Sequence, residues 1–238
     1  MRRVALTLIG IGVFSLYVIS NQLMVGRPAP TLETSLDRAI PFWPWAEVIY
    51  LSVYLFLFLP VAAIRHPRVF ERTAYAFYTF NLVALAIFWV FPVRYERPPV
   101  FELDTLWKWG VAFNYAYDPP YNNFPSLHVA NAIFASLVAL RVDRPVGVIA
   151  LVLALAISVS TLLVKQHWLA DVAAGAALGY VSYQLIVAPA IPEGATREEL
   201  AYPRKWTALL AIIYGFVFLA FVAMYELGMQ PFPWPKGR

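Results

Sequence analysis

The sequence predicts an all-α protein, a polytopic membrane helical bundle of about seven transmembrane helices. Three observations lead to this fold class: 61% of the 238 residues are apolar, only 13% are charged, and the apolar residues form long stretches. Soluble domains carry about a quarter charged residues. An aromatic content of 16% also argues against a disordered chain. The composition therefore favours a protein that lives in lipid.

Charge and cysteine content narrow the function classes. The net charge of +4 comes from 18 scattered Lys and Arg residues rather than from a run, which argues against a nucleic-acid partner. The chain has no cysteine, which excludes disulfides, thiolate metal sites and cysteine nucleophiles. No metal or cofactor is suggested by the remaining ligand types.

A transmembrane helix needs about 20 mostly apolar residues. The first such stretch is expected to be a retained helix rather than a signal peptide, because no small-x-small cleavage site follows it and six further spans do. No repeat or long linker divides the chain, so residues 1–238 are predicted to form one integral membrane domain. The predicted spans are approximately 4–24, 46–64, 72–93, 126–141, 145–164, 168–190 and 206–226.

The basic residues of the loops predict a cytoplasmic N-terminus. The most persuasive loop is 65–72, which is short, basic and flanked by apolar runs. The cytoplasmic set is Arg2, Arg3, Arg65, Arg68, Arg72, Arg141, Arg144, Arg197, Arg204 and Lys205. The outer set is Arg27, Arg38, Arg94, Arg97, Lys108, Lys165, Lys236 and Arg238. Tryptophans near the predicted span ends agree with this topology: Trp43, Trp45, Trp107, Trp109, Trp168, Trp206 and Trp234.

One long loop, from Arg94 to about Phe124, is predicted on the outer face. Loops of this length are usually functional or disordered. Its many aromatic residues argue for order, and a short interfacial helix is expected from Glu102 to Tyr115. Three polar clusters then fall at one depth, in 92–99, 122–128 and 160–171, and they contain two of the three histidines.

His167 and Asp171 are the first candidates for chemistry. Four residues apart, they would share one face of a helix. A carboxylate there can fix the tautomer of the imidazole and leave its other nitrogen as a nucleophile or base. The alternative is an interfacial histidine whose neighbour merely satisfies it, and the pair alone does not separate these readings.

His128 lies where a helix is predicted to begin, with Pro125 in the first turn and Asn122 or Asn123 as its cap. The free N–H groups of a helix start, joined by the Ser126 hydroxyl, form an anion site. Taken alone, an ordinary proline-initiated helix is the simpler interpretation.

Arg97, Arg94 and Lys165 are the cations of these clusters. A guanidinium offers a fork of donors suited to phosphate oxygens, although each cation could instead mark the interface by snorkelling. The clusters together hold two histidines, a carboxylate, a hydroxyl, a helix start and three cations. That set fits phosphoryl transfer, in which positioning and charge stabilisation supply most of the catalysis.

The same clusters resemble a known family. Arg97-Pro98, then Pro125-Ser126-Leu127-His128, then Ser160 with His167 and Asp171 are similar to the three ordered motifs of the type 2 phosphatidic acid phosphatase superfamily, which is related in fold to the vanadium haloperoxidases. The resemblance covers roughly residues 70–190, the expected catalytic core. It implies a six-helix phosphatase core with one additional C-terminal helix.

Three positions depart from the family motifs. Val90 stands at the lysine of the first motif, Leu127 at the usual glycine of the second and Thr161 at the arginine of the third. With the Lys165-Gln166-His167 string, these changes resemble the branch of inositol phosphorylceramide and sphingomyelin synthases, which move a phospho-head group between lipids.

The resemblance implies a metal-independent mechanism at the outer face of a cell membrane. His167, oriented by Asp171, would attack phosphorus and form a phosphohistidine, and His128 would protonate the departing oxygen. The lipid phosphate, phosphatidic acid-like or polyprenyl, would enter from the bilayer. The phosphoryl oxygens would be held by Arg97, Ser126, Lys165, the backbone amides near Leu127, and Arg94.

Three other functions remain open from the sequence. The nearest is a lipid phospho-head-group transferase, which shares the first half-reaction. A non-enzymatic lipid carrier would place its ionisable residues within the spans, whereas these cluster at one face. An intramembrane serine hydrolase would use Ser126 with His167 as its base.

Overall fold

The all-α prediction is confirmed. The computed structural model describes residues 1–233, which are mostly helical and contain no strand. Six of the described helices are long and apolar enough to cross a membrane, and the apolar helix Leu127–Val142 is shorter. The predicted count of seven spans is therefore not confirmed. Trp234, Lys236 and Arg238, used above for topology, lie outside the described residues.

The helices follow one another with short connections. Pro44–Ala46 is a 3-10 turn that leads into α3, Tyr183–Val187 is π-helical and Ala188–Ala190 is a second 3-10 turn. The helices are α1 (Arg2–Met24), α2 (Ser35–Ala39), α3 (Glu47–Leu51), α4 (Val53–Ala63), α5 (Pro67–Val90), α6 (Leu106–Tyr117), α7 (Leu127–Val142), α8 (Arg144–Leu163), α9 (Leu169–Ser182), α10 (Arg197–Leu200) and α11 (Lys205–Glu226). The candidate spans 44–63 and 169–190 each join several of these pieces.

Local sequence sets the helix starts. α5 begins at Pro67, five residues before the predicted span, because hydropathy leaves the charged residues of its first turns out of the span. His66 caps it, and proline in the first turn lacks only an N–H that would have no helical partner. The interfacial helix predicted from Glu102 begins later, at Leu106, because Thr105 caps it by accepting from the Lys108 N–H.

α7 is the centre of the bundle, and most of its residues are buried against α4, α8 and α9. Two glycines allow α9 to approach it closely. A Cβ at Gly175 would lie 2.3 Å from the Ser126 carbonyl oxygen, and one at Gly179 would lie 2.5 Å from the Ala130 carbonyl oxygen. The N-terminal ends of α7 and α9 therefore lie side by side.

The long helices alternate in direction and collect basic residues at one end of the bundle, here called the basic end. Arg2 pairs with Glu71, and Arg197 and Arg204 both pair with Asp143. The starts of α7 and α9 and the chain after α5 lie at the opposite end, here called the site end.

The C-terminal helix α11 packs on α4 and reaches α6. The Trp109 indole donates to the Met229 carbonyl at 3.1 Å, and the Phe113 and Phe221 ring centroids are 4.9 Å apart. This helix, for which the sequence suggested no role, therefore braces the short helix of the long loop.

The Asp143 cluster yields a prediction for stability. Burial acts to raise the pKa of Asp143, but hydrogen bonds from Arg204 and Arg197 outweigh it and lower the pKa. A carboxyl with a lower pKa in the folded state stabilises the fold above its unfolded pKa of about 3.9 and loses that contribution as pH falls towards the folded pKa. Asp143→Asn should lower stability at pH 7 by about 1–2 kcal/mol, kept small because both guanidinium groups are partly exposed.

Thermal unfolding in detergent micelles at pH 7 and at about pH 3 checks this prediction. The difference between wild type and Asp143→Asn should narrow at the lower pH. Glu198→Gln, which removes a mostly exposed carboxylate 3.8 Å from Arg197, is the control and should change little. A difference that stays constant with pH would contradict the assignment.

Candidate active site

The three predicted clusters meet at the site end. The Ser126 N–H donates to the Asp171 carbonyl at 3.0 Å, which joins the starts of α7 and α9. The Tyr95 ring stacks on Trp168 with 3.9 Å between centroids, which brings the chain after α5 to the same place. The sequence therefore predicted correctly that these segments lie together.

His167 and Asp171 are in contact, but not as successive residues of one helix. α9 begins at Leu169, so His167 precedes it. The Asp171 carboxylate reaches back over the helix start, where Oδ2 accepts from the Trp168 N–H at 2.8 Å and lies 3.3 Å from Nδ1 of His167. Both side chains are buried, with His167 only 5% exposed. The capping interaction thus fixes the carboxylate that orients the imidazole.

His128 lies on the other side of the His167 ring from Asp171. Its Nδ1 lies 3.4 Å from Nε2 of His167, and its Nε2 lies 2.7 Å from the Tyr50 hydroxyl. With an ionised Asp171, one set of tautomers satisfies the whole series: Nδ1–H of His167 donates to Asp171, Nδ1–H of His128 donates to His167, and the Tyr50 hydroxyl donates to His128. This arrangement leaves Nε2 of His167 unprotonated.

Ser126 and Leu127 stand at the start of α7. Ser126, rather than Asn122 or Asn123, is the cap, and its Oγ accepts from the Val129 N–H at 3.3 Å. Among the described residues the Ser126 hydroxyl contacts neither histidine, so it does not form the pair that a serine hydrolase needs. The first helical N–H groups, beginning with Leu127, point out of the helix beside His128.

Arg97 is held inside the long loop. Its guanidinium donates to the Tyr115 carbonyl at 2.7 Å, to the Asp118 carbonyl and to Oε1 of Gln166 at 2.8 Å, while Nε has no partner among the described residues. Burial lowers the pKa of Arg97 from its ordinary value. The Arg97 guanidinium, which was expected to hold phosphoryl oxygens, therefore also links the long loop to Gln166, the residue before His167.

Lys165 and Arg94 lie near these residues but are engaged elsewhere. Nζ of Lys165 donates to the Ile40 carbonyl at 2.5 Å, and burial lowers its pKa. Arg94 is exposed and pairs with Glu96 at 2.9 Å. The structure thus brings His167, His128, Asp171 and Arg97 together and does not place either of these two cations on the histidines.

Comparison with known proteins decides the family. Residues 27–185 match the family model of the PAP2 superfamily, which is more than half of the chain. The chain belongs to the PAP2 superfamily. A second match is an uncharacterized protein of Methanocaldococcus jannaschii, 34% identical over 68 residues, which are 29% of this chain and 28% of that protein. The chain thus spans less than a third of the length of the curated relative it matches. No solved structure matches it.

Members of the PAP2 superfamily are in general phosphatases or phosphotransferases. The apolar helices are consistent with a multi-pass membrane protein. Both statements agree with the resemblance drawn from the sequence.

Several residues of this PAP2 site were not singled out from the sequence. Tyr50 contacts His128, Gln166 contacts Arg97, and Asp118 accepts from the Tyr17 hydroxyl at 2.8 Å. A signal for the first did exist, because Tyr50 follows Glu47 by one turn, and an ionisable residue in an apolar span is functional by default. Gln166 belongs to the Lys165-Gln166-His167 string quoted above, but that resemblance gave no role to it or to Asp118.

An apolar cavity of about 290 Å³ opens below the site, between α1, α4, α5 and α7. Tyr54 and Asn131 line it. They follow Tyr50 and His128 by about one helical turn, so the cavity begins close beneath the contact between those two residues. Its walls are otherwise almost wholly hydrophobic, as expected of a pocket for an apolar chain.

Proposed function

We propose that the protein is a membrane-embedded lipid phosphate phosphatase that forms a phosphohistidine on His167. The observation that carries this proposal is the unbroken series of contacts from Asp171 through His167 and His128 to Tyr50. A histidine oriented by a carboxylate is an activated nucleophile, and a second histidine beside it can transfer protons.

The first half-reaction uses Nε2 of His167. That nitrogen attacks phosphorus, the N–P bond forms, and the bond from phosphorus to the lipid oxygen breaks. His128 takes a proton from the phosphate monoanion as it binds and gives that proton to the departing oxygen, so its ring is neutral again after the step. Nε2 of His167 and Nδ1 of His128 are only 3.4 Å apart, which leaves no room for a phosphorus atom between them. The His128 ring must therefore move aside when the phosphoryl group enters. Its contact with Tyr50 keeps it nearby.

In the second half-reaction, water attacks the phosphohistidine. His128 now takes a proton from the water as the new P–O bond forms, and the N–P bond breaks to release phosphate. Asp171 stabilises the charge that His167 acquires while it is bound to phosphorus. His128 then passes this proton to the released phosphate, which restores both histidines to their neutral starting states.

Fixed donors at the site would stabilise the phosphoryl oxygens. The first N–H groups of α7, near Ser126 and Leu127, carry the positive end of the helix dipole. Nε of Arg97 and Nε2 of Gln166 are buried without partners among the described residues, and both are donors. Lys165 and Arg94 remain proposed ligands that would have to leave the Ile40 carbonyl and Glu96 to reach the phosphate.

The lipid tail would occupy the apolar cavity that begins beneath Tyr50 and His128. We place the active site on the extracytoplasmic face of a cell membrane, because the basic end is expected in the cytoplasm. The substrate would then come from the outer leaflet, and it is phosphatidic acid-like or a polyprenyl phosphate.

The alternative function is phospho-head-group transfer, as in the synthase branch that the sequence resembles. The first half-reaction is the same, and an alcohol replaces water in the second. A panel of lipids labelled on phosphorus tests both: free phosphate with only water supplied supports the phosphatase, and strict dependence on an alcohol supports the transferase. Lipid binding by His128 and His167 double variants, with no turnover by the wild type, would instead support a carrier.

The contact between Tyr50 and His128 provides a testable prediction. Tyr50→Phe removes the hydroxyl 2.7 Å from Nε2 of His128 and should lower kcat by about tenfold, because the ring loses the partner that orients it. Tyr180→Phe, a half-exposed tyrosine of α9 that does not line the cavity, is the control and should stay near wild type. Steady-state kinetics on the labelled lipid measure both, and equal rates for the two variants would contradict the role.

A further inference from the structure

A buried carboxyl group without a partner lies next to the site. Glu47, at the start of α3, is only 2% exposed, and neither carboxyl oxygen has a hydrogen-bond partner among the described residues. Buried carboxyl groups are normally paired, because burial without a partner is costly. The mechanism above does not use this group.

An amide group faces the Glu47 carboxyl from α6, the short helix of the long loop. Asn114 on α6 is also buried, and its Nδ2 donor has no partner among the described residues. α6 passes close to Glu47, since a Cβ at Gly110 would lie 3.3 Å from the Glu47 Cγ. The Asn114 side chain lies beside the Glu47 carboxyl, although the two groups do not meet in good hydrogen-bond geometry, so a donor and an acceptor are enclosed together between α3 and α6.

This pair of groups is joined to the catalytic contacts on two sides. Glu47 precedes Tyr50 by three residues on α3, which puts both on one face, and Tyr50 contacts His128. Asn114 precedes Tyr115, whose carbonyl accepts from Arg97. Glu47 is therefore one helical turn from a residue that contacts His128, and Asn114 is next to a residue that contacts Arg97.

We propose that Glu47 and Asn114 form a subsite for a hydroxyl group. A hydroxyl both donates and accepts, so one such group can donate to the Glu47 carboxyl and accept from Nδ2 of Asn114. The hydroxyl is carried either by the lipid substrate near its phosphate or by an acceptor alcohol. This inference rests on the proposed phosphoryl chemistry and adds a specificity determinant to it.

Two arms of one experiment distinguish the sources. The first compares kcat/KM for a monoacylglycerol phosphate with a free hydroxyl and for its O-methyl analogue. The second supplies glycerol during turnover of phosphatidic acid and measures the ratio of glycerol phosphate to free phosphate. Wild type, Glu47→Gln, Glu47→Leu and Asn114→Leu are compared, with Asn81→Leu, a buried polar residue of α5, as control.

We expect wild type and Asn81→Leu to discriminate in at least one arm by about tenfold or more, because a site built to bind a hydroxyl rejects a ligand that lacks it. The Glu47 and Asn114 variants should lose that discrimination and keep their turnover of the O-methyl analogue within about threefold. Unchanged ratios in these variants would overturn the inference and indicate that the carboxyl holds only water. Absence of turnover by wild type on every lipid phosphate would instead reject the proposed function.

Discussion

His167→Ala should abolish turnover of every lipid phosphate that the wild type accepts, a loss of roughly 10⁴–10⁶-fold in kcat. Its Nε2 is the proposed nucleophile, and the neighbouring His128 is held by Tyr50 rather than by a carboxylate. Among the described residues no other imidazole contacts Asp171, so no second nucleophile with the same activation is at hand. Release of labelled phosphate or of the dephosphorylated lipid measures the effect.

The third histidine offers the control for this variant. His66 caps α5 at the basic end, where Nδ1 accepts from the Val69 N–H at 3.4 Å. His66→Asn retains a capping side chain and should leave turnover within about twofold of wild type. Turnover by His167→Ala equal to that of His66→Asn would remove His167 from the mechanism.

Asp171→Asn should lower kcat by about 10–10³-fold, because it removes the negative charge that stabilises His167 while the imidazole is bonded to phosphorus. The amide oxygen can still accept from the Trp168 N–H, so the start of α9 is kept. The same oxygen also faces Nδ1 of His167, so the variant keeps the tautomer and loses only the charge. Steady-state kinetics and thermal unfolding of the same sample separate catalysis from folding.

Asp37 is a matched carboxylate for this test. It is buried, and its carboxylate accepts from the Thr34 N–H at the start of α2 and from the Leu169 N–H at 2.8 Å, so it supports the same start of α9 without touching a histidine. Asp37→Asn should keep kcat within a few-fold of wild type. Equal losses in the two variants would indicate that both carboxylates act only by holding α9 in place.

The sequence predicted the parts of this protein that depend on local pattern. Hydropathy identified the long helices and their order, and spacing identified His167 with Asp171 and the start of α7 near His128. These predictions succeed because an apolar span and a helix cap are determined by neighbouring residues. The loop helix predicted from Glu102 to Tyr115 runs instead from Leu106 to Tyr117, and Thr105 provides its cap.

Contacts between distant segments could not be derived in this way. Nothing local indicates that Tyr50 meets His128, or that Lys165 turns towards the Ile40 carbonyl. The helical face predicted for His167 and Asp171 was also wrong in detail, since the Asp171 carboxylate closes the start of α9 and the histidine lies before it. Such features follow from tertiary packing, here the close approach of α7 and α9 at Gly175 and Gly179.

The phosphohistidine is the central claim, and trapping it is the most direct test. Wild type and His167→Ala are mixed with a lipid phosphate labelled on phosphorus, quenched rapidly in alkali and digested. The label is expected on the peptide that contains His167, stable to base and lost in acid, and absent from His167→Ala. Label on the peptide that contains Ser126, or none on protein while the lipid is still turned over, would contradict the account.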